Sequence, residues 1–297
     1  MSMRPTPCHM MQRRHFLTGG AAAMAALNNF PYSAYAATTK KLGTDRVILG
    51  PMKIELSRLA QGSGTNGVGG SSNQTRKLGL QGLGELFRAA HDNGVTFWDS
   101  ADQYGTHPHI REALKTVKRD KVQILSKTHA STEKEMRADL DRFRRELNTD
   151  YIDILLLHTM VDKDWPERKK GAMAVISEAR EKGIVRTHGT SCHTLEALKA
   201  ARDSDWVQVD LVRYNPVGTA MDADPQTVLA VMKQMKAKGK GLIGMKVLGA
   251  GKLRHRADEA LQFHLAHNEI DCFTIGAESR AEMEDLLKKV PAASVRG

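Results

Sequence analysis

The sequence has few cysteines and few aromatic residues, and it has no long run of apolar residues. Its three cysteines, Cys8, Cys192 and Cys272, form no Cys-x-x-Cys pair and no His/Cys cluster, which argues against a cysteine-held metal site. Aromatic residues make up 5% of the chain and do not interleave with its basic runs, Lys233–Lys240 and Lys252–Arg256. We therefore interpret these runs as solvated faces and expect no nucleic-acid partner. No stretch has the roughly 20 apolar residues of a membrane span, so no stable membrane insertion is expected.

In other respects the composition is typical of a soluble globular protein. The chain has 297 residues, of which 41% are hydrophobic and 26% are charged, and its formal charge is +10. This length fits two small domains or a single barrel of about 250 residues.

The first 36 residues have the order of a secretory signal. Arg13 and Arg14 precede Phe-Leu, an Ala/Gly-rich stretch covers Thr18–Leu27, and Ala34-Tyr35-Ala36 is a small-x-small cleavage pattern. The paired arginines resemble the twin-arginine export signal of bacteria, which implies the twin-arginine export machinery as a partner and a periplasmic location. We expect residues 1–36 to be the signal peptide and residues 37–297 to be one domain. A disordered cytosolic tail with a chance Arg-Arg pair is the alternative.

Beyond this segment, short apolar runs alternate with amphipathic ones. A small hairpin is predicted from Val47–Leu49 and Ile54–Leu56 around Gly50-Pro51. Eight further strands are predicted at Arg58–Gly62, Val95–Trp98, Val122–Leu125, Ile152–Leu157, Ile184–Thr187, Val207–Val212, Leu242–Met245 and Cys272–Ile275. A helical segment follows each strand, the first from near Leu80 and the last over Arg280–Lys289. This repetition predicts a single (β/α)8 TIM barrel with a short amino-terminal β-hairpin, in preference to an open doubly wound sheet.

Polar residues lie where three of these strands end. Asp99 and Tyr104 follow the second strand, Lys127 ends the third and His158 ends the fourth. In a barrel, the loops after the strands carry the active site. Each residue alone has a structural explanation, as a cap, a solvated cation, a packed turn or a core histidine, but their shared location favours a catalytic cluster.

These four side chains suit the interconversion of a carbonyl and an alcohol. The tyrosine can exchange a proton with the substrate oxygen, and a nearby ammonium stabilises the phenolate and lowers its pKa. A carboxylate can hold that ammonium, and an imidazole can orient or polarise the carbonyl. We therefore predict Tyr104 as the acid/base, Lys127 as its tuner, Asp99 as the partner of Lys127 and His158 as the orienting group.

At these positions the sequence resembles the aldo-keto reductase family. The resemblance rests on the Asp99–Gly105 segment Asp-Ser-Ala-Asp-Gln-Tyr-Gly, on Ser126-Lys127-Thr128 and on Tyr151–His158, and it runs from about Val47 to Leu287. It implies an enzyme that transfers hydride between NAD(P)(H) and a small aldehyde, ketone or alcohol. An exported enzyme of this kind would be expected to bind its cofactor tightly, since little free cofactor surrounds it in the periplasm.

The resemblance also implies a cofactor groove over the later strands. The positions that match its parts are Ser191, Cys192, Tyr214, Asn215, Met245, Lys246, Gly249, Gly276, Ala277 and Arg280. Cys192 stands where the family has an asparagine, Met245 where many relatives stack an aromatic ring, and Glu282 where an arginine often binds the 2′-phosphate. Arg280 lies two residues earlier and could replace that arginine, so NADP is preferred over NAD only slightly. No metal is expected.

The sequence says less about the substrate pocket than about the catalytic and cofactor-binding residues. Many relatives have a long carboxy-terminal loop over the substrate, and its absence here predicts an open pocket, with the Thr159–Arg168 loop and Trp165 as a candidate wall. Two other functions stay open. One is an exported nicotinamide-binding module that senses redox state or regulates a partner without turnover. The other is a sugar-processing hydrolytic barrel using Asp99 and Asp102.

Overall fold

The computed structural model describes residues 30–297, and these form the predicted closed barrel. After the antiparallel hairpin β1 (Arg46–Leu49) and β2 (Ile54–Ser57), the barrel strands are β3 (Leu59–Gly62), β4 (Phe97–Asp99), β5 (Gln123–Thr128), β6 (Ile152–Met160), β7 (Val185–Cys192), β8 (Val209–Arg213), β9 (Gly241–Met245) and β10 (Cys272–Ile275). All eight barrel strands are parallel, and β10 pairs with both β9 and β3 to close the ring. The predicted (β/α)8 barrel with its hairpin is confirmed.

Apart from a short helix before the hairpin, which the sequence did not predict, the helices occupy the predicted intervals after the barrel strands. They are α1 (Tyr32–Tyr35), α2 (Asn73–Asp92), α3 (His107–Ala113), α4 (Glu133–Leu147), α5 (Trp165–Arg168), α6 (Lys170–Glu181), α7 (Leu195–Asp203), α8 (Pro225–Ala237), α9 (Ala257–Ala266) and α10 (Arg280–Ser294). None of these described helices is long and apolar enough to cross a lipid bilayer.

Two apolar cores follow from the alternation of side chains along the strands. The larger core lies between the strands and the helices and includes Phe87, Trp98 and Phe143. The smaller core fills the barrel, where Leu49 and Ile54 of the hairpin join Phe97 and other inward-facing residues. Gly50 approaches the first residues of β8 and β9, so the hairpin closes the amino-terminal end of the barrel. The opposite end, where the strands finish, is left for the site.

Helix α2 begins earlier than the sequence indicated. It starts at Asn73 rather than near Leu80, because Ser72 caps it and exchanges hydrogen bonds with Thr75. The glycine-rich stretch obscured this start, since Gly79 adopts a left-handed conformation (φ 62°) and divides the helix into two parts.

Helix α10 ends later than expected. Pro291 lacks an N–H and would normally interrupt a helix. The helix nevertheless continues to Ser294, because Val290 and Ala293 on either side of the proline are buried against the rest of the protein.

The segment before the barrel packs onto its outer surface. The Tyr35 ring lies 5.3 Å from the Phe263 ring of α9, Gln262 Nε2 donates to the Tyr32 carbonyl (2.7 Å), and Ala37 N–H donates to the Ser294 carbonyl (2.7 Å). The predicted cleavage pattern Ala34-Tyr35-Ala36 therefore lies in a docked part of the chain. The rest of the predicted export signal lies outside the described residues and stays a prediction.

Candidate active site

The ends of β4, β5 and β6 bring the four predicted catalytic side chains together. Asp99 is the last residue of β4, and Tyr104 ends a 3₁₀ turn that begins three residues later. Lys127 lies in β5, and His158 lies in β6 just before an irregularity in its pairing with β7. Because these strands are neighbours in the barrel, contacts form at one mouth between Asp99 and Lys127, 28 positions apart in the chain, and between Tyr104 and His158, 54 positions apart.

Lys127 is fully buried and is held by oxygen atoms. Its ammonium forms an ion pair with Asp99 and donates to the Ser100 carbonyl (2.8 Å). The second carboxylate oxygen of Asp99 accepts a hydrogen bond from Thr274 Oγ1 (2.8 Å), a residue of β10. A buried charge is stable only when it is paired and hydrogen-bonded, and this network meets that requirement.

Tyr104 lies between the lysine and the histidine. Its hydroxyl is 3.5 Å from His158 Nε2, and the Lys127 ammonium is 4.8 Å from the centre of its ring. The rings of Tyr104 and His158 meet edge to face with their centres 5.6 Å apart. The phenol oxygen therefore faces an imidazole while a cation lies beside the ring.

Tyr104 and Lys127 each shift the pKa of the other in the direction opposite to the shift caused by burial. Burial raises the pKa of Tyr104, and the charge of Lys127 opposes this rise without cancelling it. Burial lowers the pKa of Lys127, but the carboxylate of Asp99, and then Tyr104, outweigh burial and raise it overall. The lysine thus acts on the phenol in the expected direction, but the net direction differs from the prediction because desolvation is larger. At neutral pH the site contains a protonated phenol and a charged lysine.

His158 is held in its neutral form. Its pKa lies well below the usual value because of burial, then because of the charge of Lys127 and of other nearby cations, including Lys246. It is 4% exposed, and its Nδ1 atom has no hydrogen-bond partner among the described residues. A neutral imidazole in this position can accept or donate a hydrogen bond to a substrate oxygen.

Two further histidines stand at this mouth, and sequence reasoning missed both. The His129 ring lies 4.8 Å from the His158 ring, and the electrostatic influence of His193 also reaches His158. Burial is the largest cause of the lowered pKa of His129, and burial followed by Arg213 lowers that of His193 to about 4. Their positions in the sequence could have indicated them, because His129 lies two residues after Lys127 and His193 lies one residue after Cys192. No group of three or more His, Cys, Asp or Glu side chains in residues 30–297 is placed to hold a metal ion.

The glycine-rich loop after β3 covers the tyrosine ring. A Cβ atom on Gly64 would lie 2.2 Å from Tyr104 Cε2, and a Cβ on Gly67 would lie 2.3 Å from Cδ1. The Gly67 carbonyl accepts a hydrogen bond from Gln103 Nε2 (2.9 Å), and Gln103 Oε1 lies 2.5 Å from His129 Nε2. The loop therefore positions both the tyrosine and the neighbouring histidine.

On the predicted cofactor side, Ser191 and Cys192 have different environments. The Ser191 hydroxyl is buried and has no partner among the described residues, so it is available to a ligand. Successive side chains of a strand point to opposite faces. The Cys192 thiol accordingly lies in the outer core, 3.4 Å from Asp210 Oδ1, and burial and then Asp210 raise its pKa well above the usual value.

Tyr214, Asn215 and Met245 are all buried. The Tyr214 ring stacks on Phe263 of α9 with 5.1 Å between centres, and its hydroxyl is 3.2 Å from His267 Nε2. Asn215 donates to the carbonyls of Thr219 (2.8 Å) and Lys246 (3.1 Å) and thereby joins the loops after β8 and β9. Of the three, Met245 belongs to the core inside the barrel.

Lys246 begins the loop after β9 and carries a charge with no carboxylate within 4.0 Å in the described chain. Burial and then Arg213 and Lys127 lower its pKa, and its backbone has a positive φ of 56°. Gly249 also has a positive φ (54°) in the following turn. A cation on a tight glycine turn is suited to bind a phosphate group.

The start of α10 is the remaining predicted part of the cofactor groove. The backbone at Gly276 and Ala277 is fixed by β3 and the loop after it, since Thr65 Oγ1 would lie 2.5 Å from a Cβ on Gly276 and Gln61 Nε2 donates to the Ala277 carbonyl (3.2 Å). Arg280 lies on the surface, with its side chain 71% exposed and paired with Glu284 (2.8 Å). The unpartnered Ser191 hydroxyl and the Lys246 cation fit a nicotinamide dinucleotide better than Arg280 does.

The comparisons with known proteins agree with this fold and identify its family. The Aldo/keto reductase family matches residues 62–292, and the chain belongs to that family. The aldo-keto reductase str7 of Strobilurus tenacellus is 28% identical over 225 residues, which are 72% of this chain and 62% of that protein. The chain thus spans less than two thirds of the length of this curated relative.

Solved structures with lower identity share the fold. An aldo-keto reductase of Pseudomonas aeruginosa superposes with a TM-score of 0.70 at 18% identity, over 86% of this chain and 98% of that one. An aldo/keto reductase of Klebsiella pneumoniae in complex with NADP and acetate gives 0.63 at 19% identity, over 84% and 90%.

Proposed function

We propose that this oxidoreductase interconverts an aldehyde or ketone and an alcohol, with a nicotinamide dinucleotide as the hydride carrier and Tyr104 as the acid/base. The observation that carries the proposal is the Tyr104 hydroxyl, 3.5 Å from a neutral His158 and beside the buried Lys127–Asp99 pair. The two alternatives, a redox sensor and a hydrolase, do not require a tyrosine hydroxyl beside a neutral histidine and a buried Lys–Asp pair.

Each of the four residues in the cluster has a separate role in the proposed reaction. In the reducing direction, Tyr104 donates its proton to the substrate oxygen as negative charge develops there. Lys127 stabilises the phenolate that remains, and Asp99 keeps the lysine charged and aimed. His158 orients the substrate oxygen through a hydrogen bond. In the oxidising direction, the phenolate takes the proton back.

The residues that would hold the cofactor are Ser191, at the nicotinamide amide, and Lys246 with the Gly249 turn, at the phosphates. When bound, the cofactor supplies or accepts the hydride. The Klebsiella relative binds NADP, which slightly favours NADP here. The carboxylates of Glu278 and Glu282 near the start of α10 oppose an additional phosphate, so the dissociation constants of NADP and NAD should be compared directly.

The decisive experiment is Tyr104→Phe, assayed against a broad set of aldehydes, ketones and sugars. The variant should lose turnover and retain nucleotide binding, measured by quenching of tryptophan fluorescence. Near-normal turnover would refute the role of Tyr104. Nucleotide binding without turnover of any compound by the unmodified protein would favour the redox-sensing alternative.

We also propose export to the periplasm by the twin-arginine machinery. The support is the order of Arg13-Arg14, the apolar stretch and the Ala34-Tyr35-Ala36 pattern. Replacing both arginines with lysine should leave the protein in the cytoplasmic fraction, and an unchanged distribution would refute this route. Since Tyr35 packs on Phe263, cleavage after Ala36 requires this segment to detach first.

A further inference from the structure

A cavity opens beside the catalytic cluster. It has a volume of about 300 Å³, and its walls include His129, Ser131, His158, Trp165, Arg168 and Lys169. His158 belongs both to this cavity and to the cluster, since its Nε2 atom faces the Tyr104 hydroxyl. The volume lies at the lower end of the range for ligand pockets and suits a small group.

Lys169 gives this cavity a positive charge that no described carboxylate within 4.0 Å neutralises. Its ammonium donates to the carbonyls of His129 (2.7 Å) and Ala130 (3.1 Å) and to Ser131 Oγ (2.8 Å). These neutral oxygens fix the ammonium without cancelling its charge. Burial lowers the pKa of Lys169, the carboxylate of Glu135 opposes this shift, and the neighbouring Arg168 adds a smaller lowering.

The cavity wall also offers a hydrogen-bond donor. Ser131 Oγ accepts from Lys169, so its own proton is free to point into the cavity. The neutral imidazole of His158 has a single N–H, which it needs to orient the substrate oxygen next to Tyr104. A ligand that accepts hydrogen bonds and carries negative charge would therefore complement Ser131 and Lys169.

Glu135, the carboxylate that acts most strongly on Lys169, has no cation partner within 4.0 Å in the described chain and accepts hydrogen bonds from the Ser131 and Thr132 N–H groups. Four other carboxylates near the cavity are engaged with other cations. Asp162 and Asp164 pair with Arg168, so that arginine contributes little net charge. Asp102 and Asp139, which act on His129, both pair with Arg142. None of these four carboxylates belongs to the cavity wall.

We propose that this cavity binds an anionic group, a carboxylate or a phosphate, at the far end of a small carbonyl substrate. Lys169 and Ser131 then determine specificity, and the carbonyl carbon lies toward Tyr104 and His158. The proposal rests on the proposed carbonyl–alcohol chemistry and narrows its substrate class to negatively charged aldehydes and ketones.

The test uses pairs of substrates that differ in charge. The full chain is assayed with 4-oxobutanoate against butanal, and with glyceraldehyde 3-phosphate against glyceraldehyde. The three N–H groups of Lys169 are already donated to protein oxygens, so its charge alone attracts the anion. The anionic member of at least one pair should have a kcat/KM higher by about tenfold or more, as expected for an anion close to a partly buried cation. The pair with the larger ratio distinguishes a carboxylate from a phosphate. Equal values within both pairs would overturn the proposal.

Variants then assign the preference to the cavity. Lys169→Met should lower kcat/KM for the anionic substrate by about tenfold, mainly through KM, and leave the neutral partner unchanged. Lys169→Arg should restore most of the preference because it keeps the charge. The control is Lys170→Met, an exposed lysine next in the chain, which should change neither value. A preference that survives Lys169→Met would refute the assignment.

Calorimetry separates a failure of this proposal from a failure of the proposed function. Butanedioate and inorganic phosphate are titrated into the wild type and into Lys169→Met. If no carbonyl compound is turned over, but one of these anions binds the wild type and binds the variant about tenfold more weakly, the anion site stands and the enzymatic function fails. If neither anion binds and no charge preference is seen, the anion site is refuted.

Discussion

Gly67 lies so close to Tyr104 that a Cβ atom on the glycine would be 2.3 Å from Cδ1 of the tyrosine ring. Real Cβ atoms do not tolerate such an approach, and neither the ring nor the loop can move freely. The opposite side of the ring is bounded by Gly64, and the Gly67 carbonyl is tied to Gln103. The conformation of the loop after β3 therefore fixes where the phenol hydroxyl lies.

Replacing Gly67 with alanine should accordingly impair catalysis more than stability. The ring must shift to accept the methyl group, and a displacement of about 1 Å of a reacting group can cost on the order of 100-fold in rate. We expect kcat/KM to fall by about that factor while the far-UV circular dichroism spectrum is preserved. Gly82→Ala, in helix α2 with only Leu78 of its own helix nearby, is the control and should leave the rate unchanged. Equal activity of the two variants would contradict the positioning role.

The pH dependence of reduction should lack the step that an ordinary histidine produces. Burial, and then Lys127, lower the pKa of His158 well below 6.5, so this histidine is already neutral where an ordinary histidine titrates. Burial raises the pKa of Tyr104, so the phenol keeps its proton up to about pH 10. We expect kcat/KM for reduction to be flat between about pH 6 and 9, and kcat/KM for alcohol oxidation to rise with pH as phenolate forms. A titration near pH 6.5 in the reducing direction would show that His158 acts as a charged group.

The buried Lys127–Asp99 pair can be tested by removing one charge and then both. Asp99→Asn removes the negative charge that compensates the buried Lys127 ammonium, which should cost about 3 kcal/mol of unfolding free energy in urea. Adding Lys127→Met removes the uncompensated charge and should recover much of this loss. Activity should be lost in both variants. A double variant no more stable than the single one would mean that the loss is not electrostatic.

The sequence predicted the barrel and the four catalytic candidates because both depend on local patterns. Strand ends recur with the period of the fold, and Asp99, Lys127 and His158 each follow an apolar run. The sequence did not indicate that Gly67 touches Tyr104, because that contact depends on the three-dimensional course of a loop.

The environments of the predicted cofactor-binding residues also could not be read from the sequence, because they depend on the three-dimensional structure. Ser191 and Cys192 are adjacent in the sequence, but strand alternation gives the serine a free hydroxyl and places the cysteine in the outer core. Lys169 escaped notice because a single lysine at a helix start usually faces solvent. Its importance comes from two carbonyl oxygens and one hydroxyl oxygen of the loop after β5, 38 to 40 residues earlier in the chain.

Asp210 should make the stability of the protein fall as pH rises. Burial raises its pKa from 3.8 to about 7, while its neighbours Thr190 and Cys192 oppose the rise through hydrogen bonds. Between these two values the folded protein retains a proton that the unfolded chain releases, so unfolding becomes easier from about pH 4 to 7 and then levels off. Asp210→Asn keeps a neutral group at all pH values. Its stability relative to the wild type should therefore improve from pH 4 to 8 by about 2 kcal/mol or more, measured by urea unfolding. Asp205→Asn, on the exposed turn before β8, is the control and should show a difference that does not change with pH. A constant difference for Asp210→Asn as well would mean that Asp210 is ionised in the folded protein throughout this range.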